Sequence, residues 1–388
     1  MTNKLHIVSF DVPYPTNYGG VIDVFYKLKA LHNLGVVIYL HVFEYGRGEQ
    51  LELQKYCEEV FYYPRNSFIK SLFSKTPFIV KSRGNDLLTA NLNKGSYPIL
   101  FEGLHTTLPV LKDSLKVQKI YLRAHNIEHR FYKGLEKSES NAFKRSFFRK
   151  ESKKLKNYEK ILKKMKGVFS ISPNEQAYFN KKYGDKCVYI PAFHDTKKRT
   201  TLKPKENFIL YHGHLLVSEN VKAALFLIDV YKETDYQLVI ASSYKNTEVI
   251  TEVLKHKNIT INTLSDENDL YKLFEKAHIN VLPTFQNTGI KLKLLNTLYQ
   301  GKFVIANDYM INETGLETLC EKANTKVEFL SKTAELFKKN FKESILEERK
   351  SILQSFNPEN SAKKIIDIIF NLKFFLKNIP IIYEYQSF

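Results

Sequence analysis

The stretch TFQNTGIKLKLLNTLYQGKFVIAN, residues 284–307, holds the pattern that decides the fold. An apolar run just before it predicts a buried strand, and Thr288 and Gly289 lie in the loop that follows. Apolar residues then recur at spacings of two, three and four, which predicts a helix. Gly301 is the predicted end of that helix, because glycine adopts the left-handed conformation of a helix C-cap without a clash at Cβ. The run Phe303–Ala306 predicts the next strand. Strand, loop, helix and strand in this order are typical of a parallel α/β sheet.

The same stretch predicts a site for an anion. The first turn of a helix has free N–H groups, and the helix dipole favours negative charge there. Lys291 and Lys293 fall in this turn, where cations are disfavoured unless an anion is bound. The alternative is that both lysines are solvated residues on a helix covering the sheet, and their spacing does not separate the two interpretations.

Length and composition indicate a chain of about two domains. The sequence has 388 residues, and 43% of them are hydrophobic, so it can fill real cores. The three cysteines are far apart in the sequence and do not have the spacing of a metal-binding motif. So few cysteines fit a protein of a reducing compartment. The N-terminus predicts a first strand and not a signal peptide. Apolar runs stay well short of the ~18 residues that a membrane-spanning helix needs.

The net charge of +18 requires an explanation. Residues 128–166 contain 14 Lys and Arg against 5 Glu, which is half of the total excess. Such a balance suggests nucleic acid, an anionic membrane surface or an anionic substrate as a partner. A genome that favours lysine codons is a further explanation.

Strand-like and helix-like segments alternate along both halves of the chain. This alternation predicts two parallel sheets. Residues 1–193 form the predicted N-terminal domain and residues 208–356 the C-terminal domain. The polar, aperiodic residues 194–207 between them are the predicted linker. Residues 357–388 are a predicted helix and tail that pack back on the first domain.

Two features of the first half are candidates for a site. Gly19 and Gly20 end a proline-containing loop that we predict to precede the first helix. The loop lacks the dinucleotide-binding pattern GxGxxG, but its glycines would let a phosphate or a sugar approach the backbone closely. The alternative is an ordinary tight turn. His105, His125 and Glu128 follow two successive predicted strands. Since ligands bind at the carboxyl ends of parallel strands, we expect these groups to share one edge of the sheet.

Four separated motifs carry a resemblance to a known family. They are PYPTNYGG at 13–20, RAHNIEH at 123–129, YHGHLLVSEN at 211–220 and GIKLKLLNTLYQGKFVIAN at 289–307. In this order they resemble the bacterial retaining glycosyltransferases of the GT-B fold, the large family that builds cell-envelope polysaccharides. The resemblance implies two Rossmann-like parallel-sheet domains that face a cleft.

The resemblance also implies roles for single residues. On the first domain, Gly19 and Gly20 would lie near the donor diphosphate. His105 resembles the active-site histidine beside the transferred sugar, and His125 and Glu128 would lie close to it.

The donor would bind to the second domain. Gly213 and Asn220 would border it, Gly289 would belong to its loop, and Lys291 and Lys293 would offset the charge of the leaving diphosphate. The family then needs no metal ion, because lysines and a helix N-terminus supply the positive charge.

The sequence departs from the family at one pair of positions. The family usually has two glutamates eight positions apart, of which the second holds the nucleotide ribose. Here Thr288 and Asn296 occupy these positions. Asparagine can accept a hydrogen bond from ribose but carries no charge, so the donor class stays open.

The resemblance implies a metal-independent, retaining hexosyltransferase without a cofactor. Its substrates would be a nucleoside-diphosphate sugar and a cell-envelope glycan or lipid-linked acceptor. It would be cytoplasmic, with peripheral attachment to an anionic membrane surface. The alternatives are a sugar-nucleotide epimerase of the same fold and a non-catalytic glycosyltransferase-like subunit. Nucleic-acid binding is supported by charge alone, since no known binding motif is present.

Overall fold

The computed structural model describes residues 2–66, 74–139, 141–196, 200, 202, 206–285 and 292–371. Its contacts divide the chain into two compact units. The first unit contains the residues up to Phe193 and, within the described range, those from Asn357 onward. The second unit runs from His194 to Phe356.

The first unit alternates strands and helices. Its strands are β1 (Lys4–Ser9), β2 (Val37–Glu44), β3 (Glu59–Pro64), β4 (Ile99–Glu102), β5 (Ile120–Ala124), β6 (Gly167–Ser170) and β7 (Cys187–Tyr189). Its helices before the second unit are α1 (Gly19–Asn33), α2 (Phe78–Lys81), α3 (Asp86–Leu92), α4 (Leu108–Leu111), α5 (Glu128–Ser138), α6 (Ala142–Tyr158) and α7 (Pro173–Tyr183). Short 3-10 helices occupy Leu51–Lys55, Leu104–Thr106 and Glu159–Lys164.

The second unit repeats the same alternation. Its strands are β8 (Glu206–His212), β9 (Gln237–Ser242), β10 (Ile259–Thr263), β11 (Ala277–Leu282), β12 (Phe303–Ala306) and β13 (Glu321–Lys322). Its helices are α8 (Ser218–Tyr231), α9 (Thr247–Val253), α10 (Glu267–Lys276), α11 (Leu292–Gln300), α12 (Asp308–Ile311), α13 (Lys326–Phe337) and α14 (Glu343–Leu353). Helix α15 (Pro358–Phe370) returns to the first unit.

Both sheets are parallel in all their pairings and have the same doubly wound order. The first sheet runs β3-β2-β1-β4-β5-β6-β7, and the second runs β10-β9-β8-β11-β12-β13. In such sheets the strand order reverses once, and ligands bind beyond the carboxyl ends of the two strands at the reversal. These strands are β1 and β4 in the first unit and β8 and β11 in the second. The predicted fold class, two parallel α/β domains, is therefore confirmed.

Helix α15 packs within the first unit. Helix α15 buries Ala362, Ile365, Ile368 and Ile369 in the core of the first unit, and the Tyr121 hydroxyl donates to the carbonyl of Ile368 at 3.3 Å. The predicted tail after residue 371 lies outside the described residues.

The described residues of the predicted linker belong to the second unit and pack within it. The His194 ring lies 4.6 Å from the ring of Tyr299, between centroids, and the Thr200 hydroxyl donates to the Tyr299 carbonyl at 3.1 Å. Among the described residues, no helix combines the length and the apolar character needed to cross a membrane.

The prediction for the glycine pair is wrong in one respect. Gly19 and Gly20 do not precede the first helix but are its first two residues. A Cβ at Gly20 would lie 2.7 Å from the Phe10 ring, so the position favours glycine. The glycines thus allow the first turn of α1 to approach the end of β1 closely.

Candidate functional site

Both predicted histidines of the first unit lie against the Phe10 ring, which follows β1. The ring centroids of His105 and His125 are each 5.4 Å from that of Phe10. Gly103 has a φ of +68°, and a Cβ there would lie 2.6 Å from Nδ1 of His105. The backbone thus turns sharply after β4 and directs His105 to the reversal between β1 and β4. Burial lowers the pKa of His105 well below its ordinary value, so this imidazole is neutral.

His125 is held by a carboxylate on the neighbouring strand. Its Nε2 lies 2.9 Å from Oε2 of Glu102, the last residue of β4. Burial opposes ionisation of Glu102, but the charge of Lys27 and the bond to His125 keep its pKa below the ordinary value. The ionised carboxylate can only accept, so Nε2 of His125 donates to it. Nδ1 is buried and has no partner among the described residues.

A buried ionic network fixes this carboxylate. Lys27 Nζ lies 2.8 Å from Glu102 and 3.0 Å from Asp23, one helical turn earlier in α1. Arg123 donates to both oxygens of Asp23, at 2.8 and 3.1 Å. All four side chains are fully buried. Burial raises the pKa of Asp23, yet Arg123 and Lys27 outweigh it and hold that pKa below the ordinary range.

Folding also creates a group of metal-ligating residue types that the sequence spacing did not indicate. Single ligand atoms of Asp23, Glu102 and His125 lie within 4.8 Å of one another. The ammonium of Lys27 already contacts both carboxylates. It supplies the positive charge that a cation would bring, so these residues fit an ion-pair network better than a metal site.

Glu128, the first residue of α5, is also at this edge but is only 2% exposed. It lines a small cavity with His125, Asn126 and Gly103. Burial raises its pKa to about 8, and the nearby Glu175 carboxyl adds to the shift. Burial likewise raises the pKa of Glu175 to about 7. A neutral Glu128 can donate a hydrogen bond, and its burial favours a positioning role over direct contact with a substrate.

The raised pKa of Glu128 predicts a pH-dependent stability. Between pH 4.5 and 8 the folded state keeps a proton that the unfolded state loses, so stability falls as pH rises. Glutamine cannot ionise, so we expect Glu128→Gln to abolish a pH-dependent loss of stability on the order of 4 kcal/mol. Hydrogen exchange of the first unit across this pH range measures the effect. The exposed Glu359→Gln serves as the control, and parallel pH profiles of wild type and Glu128→Gln would contradict the assignment.

In the second unit, three predicted residues meet at the end of β8. Lys293 Nζ, from α11, lies 3.3 Å from Oδ1 of Asn220 and 3.4 Å from the Tyr211 hydroxyl. It also lies 4.4 Å from the centroid of the Tyr211 ring. A Cβ at Gly213 would be 3.1 Å from Nζ. A side chain at this position would crowd the lysine, so glycine allows the strand end to approach it without a shift of Nζ.

The electrostatic state of Lys293 is unusual. Burial lowers its pKa to about 7, with a smaller opposing effect from Glu219. Among the described residues its hydrogen-bond partners are the neutral oxygens of Tyr211 and Asn220, not a carboxylate. An ammonium in this setting gains more from a bound anion than an exposed lysine would. The Lys293 ammonium is thus hydrogen-bonded within the second unit, although the side chain is partly exposed, and its role at a donor site stays a prediction.

Glu219 joins the β8 and β11 loops. Its Oε1 accepts the Thr284 hydroxyl at 2.9 Å and the backbone N–H of Phe285. His214, after β8, lies against Tyr244 after β9, with 3.9 Å between ring centroids. These bonds hold the loops at the reversal between β8 and β11.

The structure thus brings some predicted residues together and leaves others undescribed. Asn296 lies on α11, one helical turn after Lys293 and partly exposed. Thr288, Gly289 and Lys291 lie outside the described residues, so their predicted roles remain predictions.

Sequence reasoning missed the residues that hold the site. Among them are Phe10, Asp23, Lys27, Tyr211 and Glu219. The only signal was charge at positions that a helical pattern turns inward, as at Asp23 and Lys27.

The second unit matches a known family. Residues 206–339 match the model of a family described as Glycosyl transferases group 1. An uncharacterized 44.6 kDa protein in the cps region of Klebsiella pneumoniae is 28% identical over 335 residues. The match covers 80% of this chain and 84% of that protein.

Solved structures show the same fold over nearly the whole chain. Sucrose-phosphate synthase from Thermosynechococcus elongatus has a TM-score of 0.70 at 15% identity, covering 94% of this chain and 97% of the other. A glycosyltransferase from Rickettsia africae has a TM-score of 0.63 at 17% identity, covering 97% and 100%. At these identities the likeness concerns the fold, and it confirms the GT-B architecture implied by the four motifs.

Proposed function

We propose that this protein is a glycosyltransferase that moves a hexosyl group from a nucleoside-diphosphate donor to a cell-envelope glycan or lipid-linked acceptor. The observation that carries the proposal is the Lys293 ammonium, which lies among neutral oxygens at the strand reversal of the second unit. The match of residues 206–339 to Glycosyl transferases group 1 supports the activity. The relative in a cps region supports a role in envelope polysaccharide synthesis.

The proposed reaction retains the anomeric configuration, and its chief charge is the departing diphosphate. Lys293 would neutralise this charge, assisted by Lys291 and by the N–H groups of the loop with Thr288 and Gly289. Preorganised positive charge in a site that excludes water is an effective stabiliser of such a leaving group. The mechanism then requires no metal ion and no cofactor. Asn296 would accept a hydrogen bond from the ribose.

The acceptor hydroxyl would bind to the first unit. Nδ1 of His125 is buried and has no partner among the described residues, and in a neutral ring whose Nε2 donates to Glu102 it would accept a hydrogen bond from a hydroxyl. The neutral His105 would contact the transferred sugar. Gly19 and Gly20 would let the donor diphosphate approach the first turn of α1. We place the enzyme in the cytoplasm, at the inner face of the plasma membrane.

A thermal-shift screen with nucleoside diphosphates and their sugars tests the donor site. A nucleotide present at a hundred times its Kd stabilises the folded state by about 2.7 kcal/mol, so the matching nucleotide should raise Tm by several degrees. Lys293→Ala should lose most of this shift, whereas the exposed Lys255→Ala should keep it. If the whole panel leaves the wild-type Tm unchanged, the donor assignment is wrong. Conversion of the nucleotide sugar without an acceptor would instead indicate an epimerase.

A further inference from the structure

Two residues stand directly past the ends of neighbouring strands in the first unit. Tyr45 follows β2, which ends at Glu44, and Arg65 follows β3, which ends at Pro64. Both therefore lie at the carboxyl edge of the first sheet, the edge where ligands bind in such folds. This is the same edge that carries His105, on the other side of β1.

The Tyr45 ring contacts two arginines. The guanidinium carbon of Arg65 is 4.6 Å from the centroid of this ring, and that of Arg83 is 5.7 Å from it. Arg83 also donates to the Tyr45 hydroxyl at 3.4 Å. We call Tyr45, Arg65 and Arg83 the arginine cluster. Tyr45 is 43% exposed and Arg65 is partly exposed, so a ligand can reach both from solvent.

Arg83 connects the arginine cluster to the predicted histidine of β4. Its side chain is buried, and it donates to the carbonyls of Phe10 at 2.8 Å and of Ile79 at 2.9 Å. The ring of Phe10 is the one against which His105 lies. The charges of Arg83 and Arg65 add to burial in lowering the pKa of His105. The cluster is therefore close enough to the histidine for one substrate to meet both.

Neither guanidinium of the arginine cluster has a carboxylate within ion-pair distance among the described residues. Arg65 donates to the Ser82 hydroxyl at 3.2 Å, and Arg83 donates to two carbonyls and to the Tyr45 hydroxyl. Burial lowers the pKa of Arg83, and the charge of Arg65 lowers it further. Two like charges thus repel each other here, and a bound anion would remove that penalty.

The acidic side chains of this edge are engaged elsewhere. Asp11 accepts a backbone N–H at 2.8 Å and the Tyr18 hydroxyl at 2.6 Å. Glu44 accepts two backbone N–H groups of the loop after β2, at 2.6 and 3.0 Å. The Glu128 carboxyl interacts with Arg83, but its pKa of about 8 leaves it mostly neutral at pH 7. The positive charge of the cluster is therefore available to a ligand.

We propose that the arginine cluster binds an acidic group of the acceptor, a carboxylate or a phosphate. Arg65 would hold this group with its planar fork of N–H donors, which matches both anions. The buried Arg83 would add the second positive charge, and the Tyr45 hydroxyl would donate a hydrogen bond. The inference rests on the proposed function and deepens it, because it names the class of acceptor: a glycan unit with negative charge close to the hydroxyl that receives the sugar.

The binding of three methyl glycosides to the full chain, followed by ligand-observed NMR titration, tests the site. The acidic probes are methyl glucuronide and methyl glucoside 6-phosphate, and the neutral probe is methyl glucoside. At least one acidic probe should bind about ten- to hundredfold more tightly than the neutral one, the contribution of hydrogen bonds to a charged group. The tighter of the two identifies the acid. If neither acidic probe binds more tightly than the neutral one, the proposal is wrong.

Substitutions assign this preference to the cluster. Arg65→Gln should lose most of it, whereas Arg65→Lys should keep a part, because lysine retains the charge but not the fork. The exposed Arg145→Gln removes the same charge from α6 and should bind the acidic probe as the wild type does. Lys293→Ala should also bind it as the wild type does. Equal loss in Arg65→Gln and Arg145→Gln would overturn the assignment, as would loss in Lys293→Ala, which would place the acid at the donor site.

The glycoside titration needs no sugar nucleotide, so its outcome is independent of the donor site. Nucleotide stabilisation of a wild type that does not distinguish acidic from neutral glycosides would remove the acceptor site and leave the proposed function standing. A preference for the acidic glycosides without nucleotide stabilisation would do the reverse.

Discussion

Arg123→Met is expected to destabilise the first unit by about 3–5 kcal/mol, the cost of removing one partner from a buried ion pair. Asp23 would keep Lys27 but lose two hydrogen bonds from the guanidinium. The carbonyls of Ile190 and Pro191, now bonded to Arg123 at 2.7 and 3.0 Å, would also lose their donor. Methionine fills much of the volume but supplies none of these donors.

Hydrogen exchange is the suitable measurement, because a chain of two units need not unfold in one transition. Core amides of β1, β4 and β5 should exchange at least a hundredfold faster in the variant, whereas amides of β8 and β9 should not change. The same substitution at the exposed Arg149 should cost less than about 1 kcal/mol.

The destabilisation caused by Arg123→Met should be smaller when Asp23 is neutralised as well. In the Asp23→Asn background the buried carboxylate charge is absent, so Arg123→Met should cost less there than in the wild type. A cost that is equal in both backgrounds would mean that Arg123 acts through packing and its carbonyl contacts, not through the ion pair.

The second large effect concerns the pH dependence of nucleotide binding. Burial lowers the pKa of Lys293 to about 7, so above pH 7 most of the free protein carries a neutral amine there. A bound diphosphate favours the ammonium, and binding must then take up a proton. Affinity should fall about tenfold per pH unit above pH 7, as the competent fraction falls.

Isothermal titration calorimetry at several pH values, in buffers of different ionisation enthalpy, measures both the affinity and the proton uptake. The ligand is the nucleoside diphosphate that stabilises the wild type most in the thermal-shift screen. Lys293→Met should bind about ten- to hundredfold more weakly near pH 7 and lose the pH dependence. A wild-type affinity that stays constant from pH 7 to pH 9 would show that Lys293 does not meet the diphosphate.

The elements that define the fold could be read from local patterns. Period-two and period-3.6 spacing of apolar residues predicted the alternating strands and helices, and this alternation implies parallel sheets. The predicted strand Phe303–Ala306 and the predicted end of the preceding helix at Gly301 agree with the structure. The helix boundary was less exact at the glycine pair, since the first helix begins at Gly19 and not after Gly20.

The candidate site was predictable only where a residue follows a strand. His105, His125 and Glu128 were identified because each stands just past the carboxyl end of a predicted strand, whereas Gly213 was identified through the family resemblance. The tautomer of His125 and the low pKa of Lys293 depend on contacts with residues such as Glu102 and Tyr211. Those partners lie 23 and 82 positions away in the sequence.

The sequence by itself determined which segments become strands and helices, and hence which side chains reach the ligand-binding edge of each sheet, because these depend on local periodicity and glycine placement. The tertiary structure alone decided the charge states at those edges. Burial and opposite charges set pKa values, and both arise only when distant segments pack: Lys27 between Asp23 and Glu102, and Lys293 against Tyr211 and Asn220.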